Sequence, residues 1–172
     1  MNWLDIFLLL LLAGAAVLGA ARGFGRAALD ALGLYAALCL ASFLAPLLAA
    51  HLTLTAGGAA ENRGWAFAML FVLLGALALG LAWYCHGLTR FEAGAFDKLF
   101  GLVGGAALGV ILAHGLVNTL VTSDPKRVAS AALVSRGAVG TELYSFPSYH
   151  SAMDTITGAA SYRRELPNVA GK

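Results

Sequence analysis

The sequence predicts an all-α, multi-pass membrane protein: four transmembrane helices followed by a short, partly helical C-terminal tail. Three observations carry this. Hydrophobic residues make up 60% of the 172-residue chain and charged residues 12%, far from the balance of a soluble domain. The apolar residues gather into four runs long enough to cross hydrocarbon as helices. None of the runs carries the polar stripe that a helix needs on the surface of a soluble core. In a bilayer each backbone N–H and C=O must be satisfied within its own segment, which leaves the helix as the structure for runs of this kind.

The first run covers about Trp3 to Ala20. Its "LGAA" has the small residues of a leader-cleavage site, but the segment lacks a positive n-region and its only early charge is Asp5, so it is read as a retained span. The second run covers about Ala27 to Ala50, the third Trp65 to Cys85 and the fourth Leu99 to Val121. Trp65 and Trp83 lie ~27 Å apart along a helix, the spacing of aromatic belts at the two interfaces. Residues 1–121 thus form a four-helix transmembrane domain, and residues 122–172 an extramembrane tail. In the tail, "SDPKRVASAALVSRG" reads as an amphipathic helix, with Ser123 or Asp124 as cap, Pro125 in the first turn and Gly137 at the end. Val128, Ala132 and Leu133 form its expected apolar side. Tyr144, Phe146, Tyr149, Met153 and Ile156 point to a second short helix against the membrane or the bundle, and the final "RRELPNVAGK" to a disordered end.

Several function classes are excluded at this stage. Net charge is only +2, with no basic stripe, so no nucleic-acid partner is expected. Cys39 and Cys85 fall inside apolar runs without partners at disulfide or zinc spacing, so neither metal nor cofactor is expected. No nucleophile elbow or zinc-ligand motif is present. Ser123, Ser130 and Ser135 are ordinary helix-start and tail residues, and His51, His86 and His150 have no apparent partner. No catalytic residue is assigned, and the chain is read as a non-enzyme.

With an even number of spans both termini lie on one side. Arg22, Arg26, Arg90 and Lys98 mark one membrane face, and Arg63, Lys126, Arg127 and Arg136 the other. Arg22 and Arg26 flank the shortest connection, "ARGFGR", where the positive-inside bias acts most directly. That connection is therefore placed in the cytoplasm and the termini in the periplasm.

The fourth run carries glycine at every fourth position: Gly101, Gly105 and Gly109. Each glycine costs a helix ~1 kcal/mol relative to alanine. The return is close packing, because lipid gives apolar side chains no reason to associate and a bare helix face lets a neighbouring backbone approach. Candidate partners are Ala15, Gly19 and Gly23 in the first span, Gly33, Ala37 and Ala41 in the second, and Ala76 and Gly80 in the third. Asp97 and Asp30 stand near helix N-termini on the face that also carries Arg22, Arg26 and Lys98. They form either an ionic clamp between the first loop and the Asp97 region or two solvated interfacial carboxylates. His114, followed by Asn118 and Thr122 at successive turns, is an ionisable group inside a span. Three readings stay open for it: a polar pathway, a contact between subunits, or a neutral imidazole bonded to a neighbouring helix.

Taken together, "NWLDIFLLLLL", "LGAARGFGRAALDALGLYAALCLASFLAPLLA" and "FDKLFGLVGGAALGVILAHGL" resemble the colicin V production protein family of bacterial inner membranes. The shared features are Asp5, the Gly19-to-Gly23 step with Arg22, then Arg26, Ala45–Pro46, and the Asp97–Lys98 pair ahead of the glycine ladder. Two positions depart: Ala27 stands where the family often has an acidic residue, for which Asp30 would substitute, and Leu108 where it often has a basic one. The resemblance implies an inner-membrane protein assisting toxin production or export and envelope homeostasis, acting as an oligomer or a scaffold for other membrane proteins. In some members a serine protease domain follows outside the cytoplasm, which implies an outside C-terminus. The competing reading is a channel or transporter component with His114 and Asn118 lining its route.

Overall fold

The first helix begins on a reciprocal cap. Asn2 Oδ1 accepts the Asp5 backbone N–H at 3.0 Å, and Asp5 Oδ2 accepts that of Asn2 at 3.3 Å, so two donors without intrahelical partners are satisfied. The computed structural model describes residues 2–89, 94–124 and 129–157. Arg90, Pro125, Lys126, Arg127, Val128 and the stretch read as a disordered end lie outside the described residues, as do the side chains of Met153 and Ile156.

Helix α1 (Trp3–Arg22) is followed after one residue by α2 (Phe24–His51). Gly23 makes this joint with φ at 84°, a conformation that costs a glycine little. Its N–H still bonds to the Gly19 carbonyl at 3.0 Å. Helix α3 (Ala59–Thr89) follows, then a single 3-10 turn (Gly94–Phe96) and α4 (Asp97–Ser123). These are four helices long and apolar enough to cross a membrane, and no strand occurs among the described residues. The fold is therefore all-α and the protein is multi-pass. Leu10, Val17, Leu32, Val72, Leu77 and Trp83 are each about two-thirds exposed, an outer surface that suits hydrocarbon and not water.

Helix α3 runs six residues upstream of the apolar run that announces it. Glu61 and Asn62 continue the helix into the polar connection, and Glu61 suits the positive end of the dipole. Asn62 bolts the connection between α2 and α3. Its Nδ2 donates to the Ala49 and Leu52 carbonyls at 2.9 and 2.7 Å, and its Oδ1 accepts the Leu54 N–H at 2.6 Å. One carboxamide supplies both donors and the acceptor.

Helix α4 packs against all three other spans. Helix α1 lies on α4, α2 packs on both α3 and α4, and α1 has little contact with α2. Beyond α4, the chain folds back as three short helices: α5 (Ala129–Ser135), α6 (Ala138–Ser145) and α7 (Pro147–Thr157). Asp124 Oδ2 accepts from both the N–H and the hydroxyl of Ser130 at 3.0 Å, starting α5. The face of α5 that is buried carries Ala131 and Val134, with Ala132 and Leu133 only half-buried. A seven-residue helix has no face of its own to impose. Packing against α4 and α6, together with Asn2 Nδ2 donating to the Leu133 carbonyl at 2.6 Å, sets the rotation.

The two apolar cores join tail to spans. One gathers Leu4, Leu8, Ala113, Val117 and Val121 with Val134, Leu143 and Tyr144. The other gathers Leu34, Leu38, Ala41, Phe67 and Ile111 with Tyr149. Tyr149 is 1% exposed, and its hydroxyl bonds to Ser42 Oγ. Ser42 lies ~13 Å along α2 from its end, so α7 reaches well inside the bundle.

Candidate functional site

Two polar places stand out among the described residues of the bundle. The first surrounds the α1–α2 joint. Gly19 lies so close to α4 that a Cβ added there would come within 2.6 Å of the Gly105 Cα and closer still to the Gly101 carbonyl oxygen. Gly105 in turn faces the Ala15 carbonyl and the Gly19 backbone, Gly101 faces Gly19 and Gly23, and Gly109 faces Leu12 and Ala15. The bare face of α4 is thus filled by α1. On the other helices, a Cβ at Gly33 would meet Ala78 of α3, while Ala76 and Gly80 are exposed and a Cβ at Gly80 would meet nothing within 4 Å among the described residues.

Because Gly23 has no side chain, the Asp97 carboxylate comes right up to the joint. Asp97 Oδ1 accepts the Phe24 backbone N–H at 3.0 Å. Gly23 provides no side-chain cap for α2, so α4 supplies one from across the bundle. The anion also sits at the positive end of the α2 dipole. Removing the acceptor in Asp97→Ala is expected to cost about 1–2 kcal/mol, read as a lower melting midpoint in detergent. Asp97→Asn keeps an acceptor and should retain about half of that stability. An unchanged midpoint for Asp97→Ala would remove this account of the joint.

Asp30, one and a half turns into α2, is 1% exposed. Arg26 Nε lies 3.0 Å from both its oxygens, and Arg22 lies 3.4 Å from Oδ2. The Arg26 side chain is largely covered and that of Arg22 half exposed. Lys98 stands exposed beside Asp97. The five charged residues singled out from the sequence therefore sit at one end of the bundle around one joint, with Asp97 on backbone and Asp30 between two guanidinium groups.

The second place is His114. Its Nδ1 donates to the Leu143 carbonyl of α6 at 2.7 Å, since a carbonyl only accepts. Its ring packs on Tyr149 and Phe146, with centroids 4.6 and 5.2 Å away. Nε2 meets no hydrogen-bond partner among the described residues. Both His114 and Asn118 are buried, and the elements over His114 are α6 and α7 of the same chain. Thr122 donates to the Asn118 carbonyl at 2.7 Å.

The most instructive side chain is one to which the sequence reading gives no partner. Asp5 is fully buried, and besides capping α1 it accepts the Gly140 N–H at 3.2 Å and touches Gly137. It thereby ties the start of α1 to the start of α6. A lone carboxylate three residues into an apolar span was the available signal, because such a group requires partners. Among the described residues no group of three His, Cys, Asp or Glu side chains is placed to hold a metal ion.

No curated protein and no solved structure matches the chain. The family model for the colicin V production protein matches residues 4–138. That span holds Asp5, the α1–α2 joint, the glycine ladder and His114, and it runs past α4 through α5. On this match the chain belongs to the colicin V production protein family.

Proposed function

We propose that the protein is a non-enzymatic inner-membrane scaffold that assists production or export of a peptide toxin and maintenance of the envelope. It acts as an oligomer or by holding other membrane proteins. The observation that carries this reading is the work its polar side chains perform at helix ends. Asp5, Asp30, Asn62 and Asp97 each fasten one helix end or connection to another, while α3 leaves Val72, Leu73, Leu77 and Leu81 open to lipid or to a neighbouring span. A bundle fastened at its helix ends, with an apolar face of α3 left open, suits assembly better than turnover. The charged joint lies on the cytoplasmic side and both termini in the periplasm, by the weight of Arg22 and Arg26.

Cells that make the toxin should release less of it without this chain, and release should return with the parent. Release that is indifferent to the chain would overturn the proposal. The competing channel reading places His114 and Asn118 on a route, and burial of His114 beneath Phe146 and Tyr149 counts against a standing one. Vesicles carrying the purified protein should stay tight to protons and small solutes. A flux that disappears in His114→Ala would decide for the channel.

A further inference from the structure

Helices α1 and α2 leave the Gly23 joint in diverging directions, and both lean on α4. A cleft of about 260 Å³ opens between them, with Leu11, Gly14 and Leu18 on one side and Leu108 at the back. Its walls are apolar, but its narrow end is lined by Arg22 and Asp30. One buried carboxylate there faces two guanidinium groups, Arg26 at 3.0 Å and Arg22 at 3.4 Å. Asp30 carries one negative charge against these two positive ones, and Asp97, the other carboxylate at the joint, accepts from the Phe24 backbone N–H. The surplus falls to the outer partner, because the Arg22 side chain is 48% exposed and that of Arg26 16%. Arg22 is also the last residue of α1, at the level where a span meets the headgroups and a long basic side chain reaches for them.

We propose that this cleft seats one acyl chain of an anionic phospholipid, with the lipid phosphate on Arg22. An acyl chain is slender and needs no hydrogen bonds. A zwitterionic headgroup brings its own cation and gains less from the surplus charge than an anionic one does. The cleft borders the α1–α4 glycine contact, with Ala15, Gly19 and Gly105 in its wall, but the contact itself is closed by its own backbones.

The test uses the full chain in vesicles carrying trace phosphatidylglycerol or phosphatidylcholine with a photoreactive diazirine on one acyl chain. Labelling of the α1 segment around Leu11, Gly14 and Leu18 is read by mass spectrometry. The glycerol lipid should label it about fivefold more than the choline lipid, as one basic residue at an interface dictates. Arg22→Gln, in which Arg26 still pairs with Asp30, should bring that ratio to one. Gly14→Leu should lower labelling by both probes, and it should fold, because a Cβ at Gly14 meets nothing within 4 Å. Equal labelling by the two lipids in the parent would overturn the proposal, as would a ratio that survives Arg22→Gln. So would a cleft that takes neither probe and crosslinks instead to a second copy or another protein.

Discussion

Gly105→Ala is expected to destabilise the protein by about 1–3 kcal/mol, although alanine is the better helix former. The added methyl would meet the Gly19 Cα at 2.8 Å and the Ala15 carbonyl oxygen at a still shorter distance. These are backbone atoms, which cannot swing aside as a side chain can, so α1 must move off α4. The same substitution at Gly80 gives the opposite sign. A methyl there meets nothing within 4 Å, and Gly80→Ala should gain up to ~1 kcal/mol from helix propensity alone. Gly105→Leu should go further, separating α1 from α4 and leaving a polydisperse protein in detergent. Thermal unfolding of the alanine pair in one detergent is the decisive comparison. Shifts of the same sign at both positions would mean that the ladder reflects composition and that close approach contributes nothing.

The apolar runs make the spans legible because a bilayer demands uninterrupted length, and length is printed in the sequence. Helix ends are less legible: α3 begins at Ala59 and not near Trp65, since backbone bonding continues wherever the side chains tolerate water. The four-residue step of Gly101, Gly105 and Gly109 marks a bare helix face, but three other spans offer small residues to it, and only the packing assigns α1. Asp97 reads either as one side of an ionic clamp with the first loop or as a solvated interfacial carboxylate, because charge is what a sequence displays. The carboxylate accepts a backbone N–H, a group that every residue but proline carries and that no pattern advertises. The folded-back tail is the least legible part. Its anchors join residues over a hundred positions apart, Asp5 with Gly140 and Ser42 with Tyr149. Neither member of such a pair reveals the other. A buried polar group read from sequence says that a partner exists, and the fold says which.

The charged joint makes a second strong prediction, in which two arginines on one carboxylate behave unequally. Arg26→Ala leaves Asp30, 1% exposed, with only Arg22 at 3.4 Å, and a buried charge stripped of its better partner costs about 3 kcal/mol or more. Arg22→Ala removes a half-exposed and longer contact, and should cost under ~1 kcal/mol. If the carboxylate is the source of the penalty, removing it together with its partner should remove the penalty as well. Arg26→Leu combined with Asp30→Leu is therefore expected to fall within about 1 kcal/mol of the parent, because apolar side chains of similar size replace the ion pair. Melting midpoints of the two single alanine variants and the double leucine variant in one detergent test the set. Equal losses for Arg22→Ala and Arg26→Ala would mean that solvent screens both pairs alike. A double variant as unstable as Arg26→Ala would mean that the pair holds the α1–α2 joint through its charges. On the first outcome the joint is an interfacial charge cluster, and on the second an ionic lock. The expected pattern, large, small and restored, makes it a buried carboxylate that one arginine neutralises and leaves the other free to face the headgroups.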